Sequence, residues 1–228
     1  MAIKLYDLCG ADRALRFSPA CWPTRMALAH KGLEVETIPT LFTEIAAIEG
    51  GGQKSVPVIA DGETVIRDSF AIALYLEDTY DNRPTLFGGE SGKSLSRFIH
   101  YWAESVVQGQ IARMVIHDIF VKLDPADQPY FRHSREARFG CALEEAQDQS
   151  PERIEAFRAS LGPFRTTLYK QAFFGGDTPL YADYCLFGSL QWARMVSDLK
   201  LLEGDDPVAQ WFERCLDLFG ELGRSAKV

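Results

Sequence analysis

The chain has 228 residues, 46% hydrophobic and 25% charged, with a formal net charge of -8. That balance suits one large or two modest globular domains around a substantial core and excludes a disordered or low-complexity chain. The acidic excess argues against nucleic acid as a partner, since that binding rests on neutralising phosphates with Lys and Arg.

Residues 1–7 meet an acidic side chain, Asp7, before any apolar stretch develops, so they do not read as a secretion signal. No uncharged apolar run nears the ~20 residues needed to cross a bilayer, so no membrane partner is expected. Five cysteines (Cys9, Cys21, Cys141, Cys185 and Cys215) are scattered and form no Cys-x-x-Cys pair. This fits a reduced, cytoplasmic setting without disulfides or a metal site.

In chain order, Ile3-Lys4-Leu5-Tyr6-Asp7 alternates apolar and polar residues and predicts a strand. Residues 19–31 form a helix with Trp22, Met26 and Ala29 at helical spacing, stopped by Gly32. A second strand is predicted over 33–38 and a short helix over 42–49, broken by Gly50-Gly51-Gly52. Residues 56–60 read as a buried strand and 64–67 as its hairpin mate across the Asp61-Gly62 turn. Asp68-Ser69 then offers cap side chains to a helix over 70–80. The β-α-β-α-β-β-α order requires a partly parallel sheet covered by helices.

Residues 81–92, with Pro84, Gly88, Gly89 and Gly92, read as a linker between a first domain (1–80) and a second (93–228). The second contains no convincing strand. Helices are expected near 93–123, 126–148, 151–173, 181–200 and 206–221, as a bundle.

Three short stretches of the first domain carry chemistry. Ser18-Pro19-Ala20-Cys21 brings a hydroxyl to a helix N-terminus, where unpaired N–H groups and the dipole favour an anion such as a thiolate. In Ser55-Val56-Pro57-Val58, a proline opens a buried strand where the ladder is unpaired. With a cis bond there, Val56 turns both N–H and C=O toward a peptide-like ligand. Asp68-Ser69 supplies donors for a carboxylate and an acceptor for an amine. Taken singly, each is more often only a cap or an edge-strand proline.

Together, in this order within one β-α-β-α-β-β-α unit, they resemble the glutathione transferase family over essentially the whole chain. The likeness is strongest to the bacterial β-etherase branch of lignin aryl ether breakdown. It is carried by Leu5-Tyr6-Asp7-Leu8, Ser18-Pro19, Trp22, Ala27-Leu28, His30-Lys31-Gly32, Gly175-Gly176-Asp177, Ala182-Asp183-Tyr184 and the tail from Asp205-Asp206-Pro207 to Asp217-Leu218-Phe219.

The resemblance implies an α/β thioredoxin-like N-terminal domain, an all-α helical C-terminal domain, glutathione as cosubstrate and a homodimer. It also implies site roles: Ser18 for the sulfur, Val56 with Pro57 for the cysteinyl backbone, Asp68 and Ser69 for the γ-glutamyl end, and Lys54 for the glycyl carboxylate. A free thiol with a pKa of about 8.5 is mostly protonated at neutral pH. One donated hydrogen bond beside a helix terminus can lower that by about one to two pKa units. The thiolate then attacks a small hydrophobic, aromatic electrophile, extending to β-aryl ethers, as in detoxification. Phe17, Met114, His117 and Phe120 are the candidate walls of the electrophile pocket.

Two residues depart from the family pattern. Pro23 stands where the family usually has a basic residue, and its missing N–H is expected to open a bond in the second helical turn. Leu180 stands where a polar cap precedes Asp183, so that cap is expected to be lost or replaced at roughly 1 kcal/mol. Two other readings stay open. One is a non-catalytic binding protein on the same fold. The other is a thiol–disulfide reductase, which requires Cys9 or Cys21 to be reactive; Cys21 and Tyr6 are otherwise read as structural.

Overall fold

The computed structural model describes residues 2–228. The N-terminal alternation becomes strand β1 (Ile3–Leu8), which buries Ile3, Leu5 and Leu8 and turns Lys4 to solvent. It runs parallel to β2 (Val35–Thr40) and antiparallel to β3 (Val58–Asp61), and β3 turns back into β4 (Thr64–Arg67). The order β2-β1-β3-β4 and the helices α1 (Cys21–His30) and α2 (Ser69–Thr79) give a thioredoxin-like domain. A parallel pair needs a crossover, and α1 provides it. β2 starts two residues later than expected and runs through Pro39, which an edge strand tolerates. Residues Phe42–Gly50 form 3-10 turns, interrupted at Ile48 and Glu49, in place of the short helix.

All remaining elements are helical. They are α3 (Glu90–Trp102), α4 (Gln108–Lys122), α5 (Gln128–Phe139), α6 (Leu143–Ala146), α7 (Pro151–Ser160), α8 (Gly162–Leu168), α9 (Tyr181–Val196), α10 (Pro207–Leu216) and a single kinked turn, α11 (Leu218–Glu221). A π-helical turn at Ala103–Val107 joins α3 to α4 within the stretch expected as one helix. The stretch 126–148 divides at Gly140, a left-handed residue (φ 76°) that caps α5. The stretch 151–173 divides at Gly162-Pro163, because proline opens a new first turn.

Two of the contacts that hold the domains together bear directly on the cleft. Helix α9, buried along almost its whole length, packs against α1. Gly188 permits this, since a Cβ there would lie 2.7 Å from the Pro19 carbonyl oxygen and 2.8 Å from Pro23 Cδ. Pro23 is the third residue of α1, in the first turn rather than the second. Its missing N–H is one that no helix satisfies internally, so the expected lost bond does not arise. At the far corner, the buried Asp127 carboxylate accepts from Phe42 N (2.8 Å), Thr43 N (2.9 Å) and the Thr43 hydroxyl (2.9 Å).

The cap ahead of α9 is replaced, not lost. Leu180 contributes only backbone, and its N–H donates to Asp183 Oδ2 at 3.0 Å. Asp183 also accepts from Phe174 N (2.7 Å), Gly175 N (3.0 Å) and Trp211 Nε1 (2.9 Å). Burial pushes this carboxyl up in pKa while the four donors pull it down. No helix among the described residues is long and apolar enough to cross a membrane.

Candidate active site

Two adjoining cavities lie between the domains. The larger, about 320 Å³, is lined by Phe17, Ser18, Lys54, Val56 and an aromatic wall from the helical domain. The smaller, about 150 Å³, is lined by Val56, Pro57, Asp68, Ser69, His100 and Glu104. Pro19, Ser55, Val56 and Gln108 border both.

Ser18 is 4% exposed, and its Oγ accepts a hydrogen bond from Cys21 N at 3.2 Å. The α1 N-cap is Ala20, so Ser18 sits two residues before it and closes the loop through this i to i+3 bond. Accepting from Cys21 occupies an oxygen lone pair and leaves the hydroxyl proton able to donate.

The Val56-Pro57 peptide is cis. Val56 lies just outside β3, and its N–H and C=O bond to no other described residue. Asp68 holds φ at +74°, a backbone that side-chain-bearing residues rarely adopt, and its Oδ1 caps α2 by accepting from Phe70 N (3.0 Å) and Ala71 N (2.9 Å). The neighbouring Ser69 carbonyl is taken by the Tyr181 hydroxyl at 2.8 Å. The Ser69 N–H and hydroxyl have no partner among the described residues. Burial lowers the pKa of His100, which packs on Phe70 at the back of this cavity.

The candidates for the electrophile pocket separate. Phe17 lines the larger cavity, but Met114, His117 and Phe120 do not. Helix α4 turns Gln108, Ala112, Ile116 and Ile119 to the cavity, a stripe set by 3.6 residues per turn. Met114 falls on the opposite side and is wholly buried. His117 pairs with Glu144 at 3.5 Å and stacks on Phe120, which in turn lies beneath Arg132. The wall is instead built by Phe42, Tyr130, Phe131, Phe139 and Trp192, with Arg135 and Arg138. Sequence reasoning missed these and Gln108. The one available signal was the aromatic–arginine alternation of α5 (Tyr130-Phe131-Arg132, Arg138-Phe139).

The thiols are poorly suited to chemistry. Burial pushes Cys9 up to about 11 and Cys21 well above its ordinary value, with the Asp7 carboxylate adding to the effect on Cys21. Asp7 is itself wholly buried, 3.2 Å from Arg25, with Oδ1 unpartnered. Tyr6 donates to Glu49 at 2.5 Å and is pushed up to about 12, chiefly by burial. Among the described residues no cluster of His, Cys, Asp and Glu fits a metal ion.

A fold with a thioredoxin-like sheet, a helical domain and a cleft between them defines the class of protein. The glutathione S-transferase N-terminal domain model matches residues 17–79 and the C-terminal domain model residues 94–218, the latter more than half of the chain. The chain belongs to the glutathione S-transferase family. Among curated relatives, glutathione S-transferase Z2 of Arabidopsis thaliana is 36% identical over 114 residues, covering 48% of this chain and 46% of that protein. The chain thus spans about half the length of the curated relatives it matches. Among solved structures, glutathione transferase GSTFuA3 of Phanerochaete chrysosporium is 26% identical, covers 97% of both chains and superposes with a TM-score of 0.82. A glutathione S-transferase of Ceriporiopsis subvermispora, crystallised in complex with glutathione, is 25% identical over 96% of both chains, with a TM-score of 0.80.

Proposed function

We propose that this protein is a glutathione transferase in which the Ser18 hydroxyl donates to the glutathione sulfur and keeps it as the thiolate. The observation that carries this reading is the continuity of one cleft. It begins at Asp68 and Ser69, passes the unpaired N–H and C=O of Val56, reaches Ser18 and Lys54, and opens into an aromatic cavity. A tripeptide with an ammonium and a carboxylate at one end, an amide backbone in the middle and a carboxylate at the other fits that sequence of groups.

The thiolate attacks an electrophilic carbon of a hydrophobic aromatic substrate. A C–S bond forms, and the leaving group departs with its electron pair. Where that carbon carries an aryloxy group beside a ketone, the C–O bond breaks and a phenolate leaves. The sequence likeness to β-etherases supports this as the reaction to test first. Ser18 acts as a donor throughout and never as a nucleophile. The exposed stripe Leu95, Phe98 and Tyr101 on α3 supports pairing with a second copy.

Ser18→Ala tests the reading. Turnover with glutathione, screened over aryl ethers, haloaromatics, epoxides and peroxides, is expected to fall about 100-fold or more, the scale of one lost donor to a developing anion. Glutathione affinity is expected to change by no more than about three-fold. Undiminished turnover in Ser18→Ala would remove Ser18 from the chemistry, and glutathione binding with no turnover of any electrophile in the unmodified protein would make the protein a carrier.

A further inference from the structure

Resting on the transferase reading, we propose that the larger cavity selects aromatic electrophiles bearing a carboxylate, held by Arg135 with Arg138 at the mouth. The chain carries a net charge of -8, yet this cavity is lined by three cations, Lys54, Arg135 and Arg138, and by no Asp or Glu. Lys54 is assigned above to the glycyl carboxylate, which leaves two arginines in excess of what glutathione needs.

Their setting differs from that of their neighbour Arg132. That residue is matched on the same helix by Glu136 (2.8 Å) and across the turn by Glu144 (2.8 Å). Arg135 and Arg138 have no carboxylate partner among the described residues. Arg135 is half-buried; it donates from Nη1 to the Ser134 hydroxyl at 2.8 Å, and its guanidinium lies over Phe131 (4.8 Å) and Phe42 (5.8 Å). A guanidinium keeps its charge in any protein environment and offers five N–H donors in a fixed fork. Withdrawing it from water without a counter-ion is unfavourable, and a ligand carboxylate is the group whose geometry fits the fork.

The rest of the wall states what that carboxylate is attached to. Phe17, Phe42, Tyr130, Phe131, Phe139 and Trp192 offer ring faces and edges, with aliphatic filling from the α4 stripe. The two features together describe an aryl acid.

The test uses calorimetry on the full chain with two matched pairs. The first is S-(4-carboxybenzyl)glutathione against S-(4-carbamoylbenzyl)glutathione; the second, without glutathione, is 4-phenoxybenzoate against 4-phenoxybenzamide. The carboxylate member of each pair is expected to bind about ten-fold more tightly, equivalent to about 1.4 kcal/mol. Arg135→Met is expected to abolish the preference, Arg135→Lys to recover part of it, and Arg138→Met to reduce it several-fold. Equal affinity within both pairs overturns the proposal, as does a preference that survives in the Arg135→Met/Arg138→Met double variant. Glutathione titrated alone separates the two ideas. If it fails to bind, the transferase reading falls, and the phenoxybenzoate pair still decides whether the cavity is an aryl-acid site.

Discussion

The two cavities that meet at Val56 have opposite chemistry. The smaller is rimmed by Asp68, Glu104 and His100 and is closed mainly by backbone and small side chains. The larger is rimmed by Lys54, Arg135 and Arg138 and closed by aromatic rings. Opposite charge at the two ends favours one direction for the tripeptide, because reversing it would bring its single ammonium to the cations and away from Asp68 and Glu104. On the proposed reading, the thioredoxin-like domain supplies most of the groups that hold the tripeptide, the helical domain supplies most of the wall that meets its reaction partner, and binding and selectivity fall largely to different domains.

The largest effect on this contrast is expected from Asp68. Asp68→Ala removes both the charge facing the amine and the acceptor for two helix N–H groups. Glutathione binding is expected to weaken about 50-fold, and thermal or urea unfolding to show a loss of about 1 kcal/mol. Asp68→Asn keeps the cap and tolerates the positive φ, so calorimetry is expected to show only the charge component, about ten-fold. A variant in which Asn and Ala weaken binding equally would reduce Asp68 to a backbone role.

Next comes Lys54→Met, expected to raise the glutathione Kd about ten-fold and to flatten its dependence on salt, since an exposed cation acts through a screened field. Glu104 is smaller still. Its side chain is 62% exposed, and Glu104→Gln is expected to weaken binding by about two- to three-fold.

The smallest expected effect is on thiol chemistry. Raised thiol pKa values leave less thiolate at neutral pH than a free cysteine has, so alkylation of the native protein near pH 7.5 is expected to label only the half-exposed Cys141. Cys9 is expected to react only as the pH nears about 11. Labelling of Cys21 with loss of turnover would move the chemistry from hydroxyl to thiol.

Much of this was legible in the sequence because it is local. Alternation in residues 3–7, the Asp61-Gly62 turn and the Asp68 cap each act within a few residues, so the order of elements along the first domain and the start of α2 could be read directly. The electrophile wall could not. Met114, His117 and Phe120 are apolar or aromatic members of a helix that is buried on more than one side. Hydropathy says that such residues are covered but not by what. The Asp127 bond to residues 42–43 and the four donors around Asp183 join chain segments far apart or across loops, and no periodicity announces them. The π-helical turn at Ala103–Val107 likewise leaves no composition signal, yet it shifts the phase of α4 and so decides which side of that helix meets the cavity.

Asp127 has a consequence for how molecules come and go. Its carboxylate rivets the roof of the larger cavity, at Phe42, to the base of α5, where Tyr130 and Phe131 stand. Spreading the domains at that corner would strip a buried anion of three donors at once, so the cleft does not open there like a jaw. Arg138 is exposed among the residues that line this cavity, so a guest arriving on its side meets a positive charge first.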